Sequence, residues 1–144
     1  MGARSIRAEA DQLVSVTKAA ASILGIAAGL IGTFHGYNET LQGSTAPTGI
    51  LINAIGPPCQ GNACFPAMTV VPNFYYTGIL AIIVSLFILL KAVAFVERKN
   101  SGLWMIGLSI LQLLVGGGFL PPILGLASGI IGTRIKRNAT PVGP

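Results

Sequence analysis

Between Thr77 and Val96 the chain runs for 20 residues with Lys91 as its only charge. At about 1.5 Å per residue a helix of that length matches the roughly 30 Å apolar layer of a bilayer. The rest of the chain is built the same way. Only 9% of its 144 residues are charged while 52% are hydrophobic, whereas a soluble domain carries roughly 25% charged residues to wet its surface. Lipid removes that requirement, so the composition predicts an integral membrane protein.

Four apolar segments follow from the pattern. Ala19 to His35 forms the first, and residues 77–96 the second, opening after Phe74, Tyr75 and Tyr76, whose amphipathic rings suit the headgroup level. The third, 102–115, starts beside Trp104 and ends where Gly116-Gly117-Gly118 and Pro121-Pro122 break a helix. The fourth has a short apolar core from Ile123 to Thr133. With Phe119, Leu120 and the prolines it extends over 119–135, and snorkelling of Arg134, Lys136 and Arg137 makes a crossing feasible. A re-entrant hairpin of the third and fourth segments would give the same sidedness.

Charge placement orients the chain. All nine basic residues lie in the N-terminal segment, around the connection between the second and third spans, or at the C-terminal end, and residues 36–76 contain none. The positive-inside rule places the first three regions in the cytoplasm and 36–76 outside, so both termini face the cytoplasm and the number of crossings is even. These basic residues flank apolar runs and form no continuous face, which excludes nucleic acid as the partner. Residues 1–18 carry Ile6, Ala10, Leu13, Val14 and Thr17 at helical spacing. They are expected to form a short amphipathic helix on the inner surface. Phe34-His35-Gly36-Tyr37 lacks a small-x-small cleavage pattern, so the first span reads as retained rather than as a signal peptide. Residues 136–144 form a cytoplasmic tail.

The first and fourth spans echo each other. ILGIAAGLIGT (23–33) and ILGLASGIIGT (123–133) agree at eight of eleven positions. Each carries small-xxx-small spacing, Gly25 with Gly29 and Gly125 with Gly129, which lets helix backbones approach closely in lipid. The two helices are expected to pack through these faces. Inverted repeats also occur in transporters, but small residues recur in any close helix contact.

Candidate chemistry is sparse. Cys59 and Cys64, in PPCQGNACFP, face the oxidising side and read as a disulfide. It would pin a hairpin between the extended runs 49–55 and 67–71, and so short a closed loop contributes about a few kcal/mol. The rival redox reading is disfavoured, because reactive pairs are Cys-x-x-Cys at a helix start. His35, Glu39 and Gln42 gather where the first helix leaves the outer leaflet, and they read as a polar girdle at the interface. A single histidine with one carboxylate makes an incomplete metal site, so neither a metal nor another cofactor is expected. Asn38-Glu39-Thr40 matches a glycosylation sequon close to the bilayer. Lys91 is expected to snorkel, and Gln112 to hydrogen-bond a neighbouring helix, a contact worth on the order of 0.6 kcal/mol. Mid-depth carboxylates and histidines, the usual relays of ion-coupled carriers, are missing from the apolar segments. No nucleophile–base pair or phosphate loop is visible.

The segments HGYNETLQG (35–43), INAIGPPC (52–59), PAMTVVPNF (66–74) and GGGFLPP (116–122) resemble a family of small four-helix membrane proteins of archaea and bacteria. That family shares an HGYxExLQG motif and has no assigned function. The likeness runs from Ile23 to Thr133 and implies the four-span architecture and no catalytic residues. The layout is also similar to that of claudin-type proteins, but their outer-loop signature is missing, and Gly102-Leu103-Trp104 lies at the wrong end of a span.

The expectation is therefore an all-α membrane protein with four transmembrane helices and a large first extracytoplasmic loop bearing a short disulfide-pinned hairpin. It reads as a non-enzymatic accessory or interaction protein in the cell membrane, with lipid, another membrane protein or a second copy as its partners. The alternatives are a passive pore or carrier element formed by self-association and, less favoured, a membrane thiol oxidoreductase.

Overall fold

The computed structural model describes residues 2–53, 66–94, 98 and 100–135. Four helices and one two-stranded sheet make up the fold: α1 (Gly2–Thr40), β1 (Leu51–Asn53), β2 (Pro66–Met68), α2 (Phe74–Ala94), α3 (Ser101–Leu114) and α4 (Leu120–Ile135). Two helices, α1 and α2, are long and apolar enough to cross a membrane, whereas α3 and α4 are shorter apolar helices.

Two boundaries differ from expectation. The short surface helix expected over 1–18, leading into the first span, joins it without a break as one continuous helix of 39 residues, about 58 Å long. Between Ala3 and Leu24 no glycine or proline interrupts it, so nothing in the backbone favours a hinge. Its other end passes through His35 and Gly36 and stops only at Thr40. The fourth helix is 16 residues long and lies within the expected 119–135, beyond the 11 residues of its apolar core. Pro121 and Pro122 lie in its first turn, where a helix has no use for their missing N–H groups.

Successive helices run antiparallel, and α1 is the hub. It packs along α2 on one side and α4 on the other, α4 packs on α3, and α2 and α3 meet only slightly. The close approaches are made through small residues. A Cβ placed on Gly29 would lie 2.8 Å from Leu89 Cβ and 2.9 Å from the Ser85 carbonyl oxygen. On Gly36 it would lie 2.7 Å from the Gly78 carbonyl oxygen. Hydroxyls clip the helices together: Ser22 Oγ donates to the Ala92 carbonyl (2.7 Å) and Ser128 Oγ to the Ala21 carbonyl (2.6 Å). Lys91 Nζ sits 5.6 Å from the centre of the Trp104 ring, joining α2 to α3 in a cation–π contact.

The echoed segments do meet, but with a division of labour. Gly25 of α1 meets Ala92 of α2 and Met105 of α3 as well as Ser128 of α4, and Gly125 of α4 meets Ser109 of α3, with Ala28 of α1 farther off at 3.7 Å from its would-be Cβ. Gly29 and Gly129 turn away from this contact. Gly29 packs on α2, and Gly129 packs on α3 against Ile106 and the Gly102 carbonyl. The α1–α4 contact is seen at Gly25 and Gly125, where it is shared with α2 and α3, while the nearest neighbours of Gly29 and Gly129 lie on α2 and α3, because residues four apart on a helix are rotated by about 40° and reach different neighbours.

The expected hairpin is present as an antiparallel pair, Leu51 opposite Met68 and Asn53 opposite Pro66. Cys59, Cys64, residues 95–97 and the tail 136–144 lie outside the described residues, and so does the expected disulfide. The hairpin is fastened to the bundle: Thr69 bridges Val115, and the Val70 N–H donates to the Leu114 carbonyl at 3.0 Å.

Substitutions at the glycines should separate contact from open surface. Gly29→Leu and Gly129→Leu each press a side chain into backbone, and should lower the melting temperature in detergent by the equivalent of about 1–3 kcal/mol or more. Gly107 has nothing near its would-be Cβ, so Gly107→Ala should leave stability equal or raise it by up to about 1 kcal/mol through better helix propensity.

Candidate functional site

On α1 the positions 21, 25, 28, 32, 35 and 39 recur at spacings of four and three and so form one stripe. Ala21, Gly25, Ala28 and Gly32 occupy its lower part and are all buried. Small residues draw the neighbouring helices in, and the stripe continues without changing direction into His35 and Glu39. These two are therefore inside the bundle, His35 at 5% and Glu39 at 0% exposure. The expected girdle at the interface is corrected here. The pair shares the packing face of α1, while Phe34 and Tyr37 occupy the exposed face.

The lid over this pair is the connection between α3 and α4. Gly116 and Gly118 have φ of +90° and +79°, a backbone region open to glycine and strained for other residues. Each glycine of the triplet receives one polar side chain. A Cβ on Gly116 would strike both Glu39 carboxylate oxygens and the Thr77 methyl group, one on Gly117 would strike Gln112, and one on Gly118 would lie 2.6 Å from His35 Nε2. The triplet that reads in sequence as a helix break thus also serves as a cradle for polar groups.

Below and beside the pair, hydrogen bonds tie the helices together. Gln112, fully buried, donates from Nε2 to Ser85 Oγ at 2.8 Å and to the Ala28 carbonyl at 3.4 Å. It joins α3 to α2 and α1, as its place in an apolar segment predicts. Thr77 and Thr69 share a hydroxyl contact of 3.0 Å, and Thr77 Oγ1 also donates to the Val71 carbonyl at 3.3 Å. The two Glu39 carboxyl oxygens, by contrast, have no hydrogen-bond partner among the described residues.

Gln42 belongs elsewhere. Half-buried, it donates from Nε2 to the Asn53 carbonyl at 3.1 Å and ties the end of α1 to β1. Asn38 donates to the Phe34 carbonyl one turn back. Thr69, Thr77 and the Gly116–Gly118 cradle are missed by a reading of motifs alone. The signal that could have found the inward turn of His35 and Glu39 is the unbroken four–three spacing from Ala21. Chemically, the cluster offers one carboxyl and one imidazole in a nearly dry space. Among the described residues no group of three His, Cys, Asp or Glu side chains is placed to hold a metal ion.

Two alanine substitutions should measure the cradle. Gly43 also has positive φ, +70°, but open space around it, so Gly43→Ala should cost about 1 kcal/mol from backbone strain alone. Gly118→Ala adds collision with the His35 ring and should cost roughly 1–3 kcal/mol more by thermal unfolding in detergent. Set against protein-family models, curated proteins and solved structures, the chain matches none.

Proposed function

We propose that this chain is a four-span protein of the cell membrane, with both termini cytoplasmic, which works as a non-enzymatic accessory or interaction protein through its outer hairpin. The observation that carries the membrane part is an inverted distribution of side chains. Leu30, Phe34, Phe87, Leu90, Leu103 and Ile123 are exposed, while Ser85, Ser109, Gln112 and Ser128 are buried. Water would penalise such an exterior, and lipid solvates it. The 14 residues of α3 and 16 of α4 give about 21 and 24 Å. Local thinning of the bilayer and snorkelling of Arg134 let helices of that length cross.

The interaction part draws on the outer end. Ile50, Leu51 and Val70 of the hairpin region are 62%, 70% and 63% exposed, beside a shallow hollow lined by Pro47, Thr48 and Pro72. Apolar side chains carried on a sheet fastened to a helical base suit contact with a membrane protein partner or a second copy.

Cysteine accessibility tests the topology in a background with Cys59 and Cys64 replaced by serine. Thr48→Cys should react with a membrane-impermeant maleimide on intact cells, and Asn100→Cys only after permeabilisation. The reverse pattern, or equal labelling of both, overturns the reading. A photo-crosslinker at Leu51 should give a discrete protein adduct in cells that Val70→Glu abolishes, and a smear equal to that from lipid-facing Leu103 argues against a docking role.

A further inference from the structure

Glu39 has full burial and no donor. Its exposure is 0% and neither carboxyl oxygen meets a hydrogen-bond partner among the described residues. The Gly116 backbone lies over its carboxyl oxygens, with the Thr77 methyl group against the same glycine, and the Thr77 hydroxyl is turned to Thr69 and Val71. The ionisable group nearest along α1 is His35, one turn below. The elements packed around the cluster bring Thr77, Thr69, Gln112 and the three glycines, none of them charged, and the Gln112 amide N–H is directed at Ser85 and Ala28.

A carboxylate in such surroundings lacks both water and counter-charge, which is among the costliest arrangements in a protein. A metal ion would answer the charge but needs several oxygen or nitrogen ligands around it, and the described residues place no such set here. A proton answers it with no further ligand.

We propose that Glu39 is a proton-binding site, and that the Gly116–Gly118 segment closes over it only while the carboxyl group is neutral. Glycine at position 116 lets bare backbone rest on the carboxyl oxygens. That contact suits an uncharged acid and offers an anion nothing, so ionisation lifts the loop to admit water. The proposal leans on the four-span reading only for the side from which the proton arrives, and the test in detergent is independent of sidedness.

Infrared spectroscopy of the purified full-length chain, carrying carbon-13 glutamate, reads the group directly. With Glu9 and Glu97 replaced by glutamine, an acid C=O band that shifts with the label should be present at neutral pH and disappear as pH is raised. Glu39→Gln should remove it. Because the closed state holds a proton that the open state releases, the melting temperature of the otherwise native chain should fall from neutral to alkaline pH, and that of Glu39→Gln should stay flat. His35 is common to both proteins, so the difference isolates Glu39. Only an ionised carboxylate signal at neutral pH, or parallel melting profiles, overturns the proposal. If Glu39→Gln does not fold, the labelled band in the chain retaining Glu39 decides alone.

Discussion

Backbone-to-backbone approach along α1 is the contact on which the remaining structure depends. Gly25, Gly29, Gly32 and Gly36 each lie so close to a neighbouring helix that a methyl group would not fit. In lipid there is no hydrophobic gain from bringing two apolar helices together, so dispersion at short range and hydrogen bonds must hold them. Glycine supplies the first by letting main chains touch, and serine supplies the second without adding bulk. Because α1 contacts both α2 and α4, its seam positions three of the four helices, and α3 is held mainly through α4.

The same closeness decides what happens to polar side chains. Water is squeezed from the seam, so each polar group there needs a partner from another helix. Gln112 finds Ser85 and the Ala28 carbonyl, and Ser128 finds the Ala21 carbonyl. Toward the hairpin end the seam does not widen. It runs on into His35 and Glu39 and is roofed by three glycines instead of by a fourth packing face. A carboxyl group that would be unremarkable at a lipid–water boundary thereby becomes a dry one. Its state is coupled by contact to a loop that also meets the hairpin at Val115, so the hairpin and the polar cluster are mechanically joined.

Much of the fold was legible in the chain itself. The long apolar stretch after Phe74, with Lys91 as its single charge, suits a helix in an apolar medium or the core of something larger, and α2 covers it to Ala94. The extended runs on either side of the cysteines carry the strand pair, and the echoed segments do lie against each other, although the nearest neighbours of their glycines belong mostly to α2 and α3. The candidate site was half legible. His35 and Glu39 were noticed for their chemistry, yet read as a polar girdle because they fall where the first helix was expected to leave the outer leaflet, and the seam was not followed upward from Ala21.

Local composition settles what depends on nearest neighbours along the chain: where apolar runs begin and end, how basic residues are shared between connections, where prolines and glycines stop a helix. Which direction each helix face points is another matter. A rotation of about 100° per residue distributes side chains around the axis, and only the arrival of other helices determines which of them become interior. Glu39 is separated by 38 residues from Thr77 and by 77 from Gly116. Its burial is a product of those distant segments closing on it, because solvation depends on everything within a few ångströms in space, irrespective of separation along the backbone.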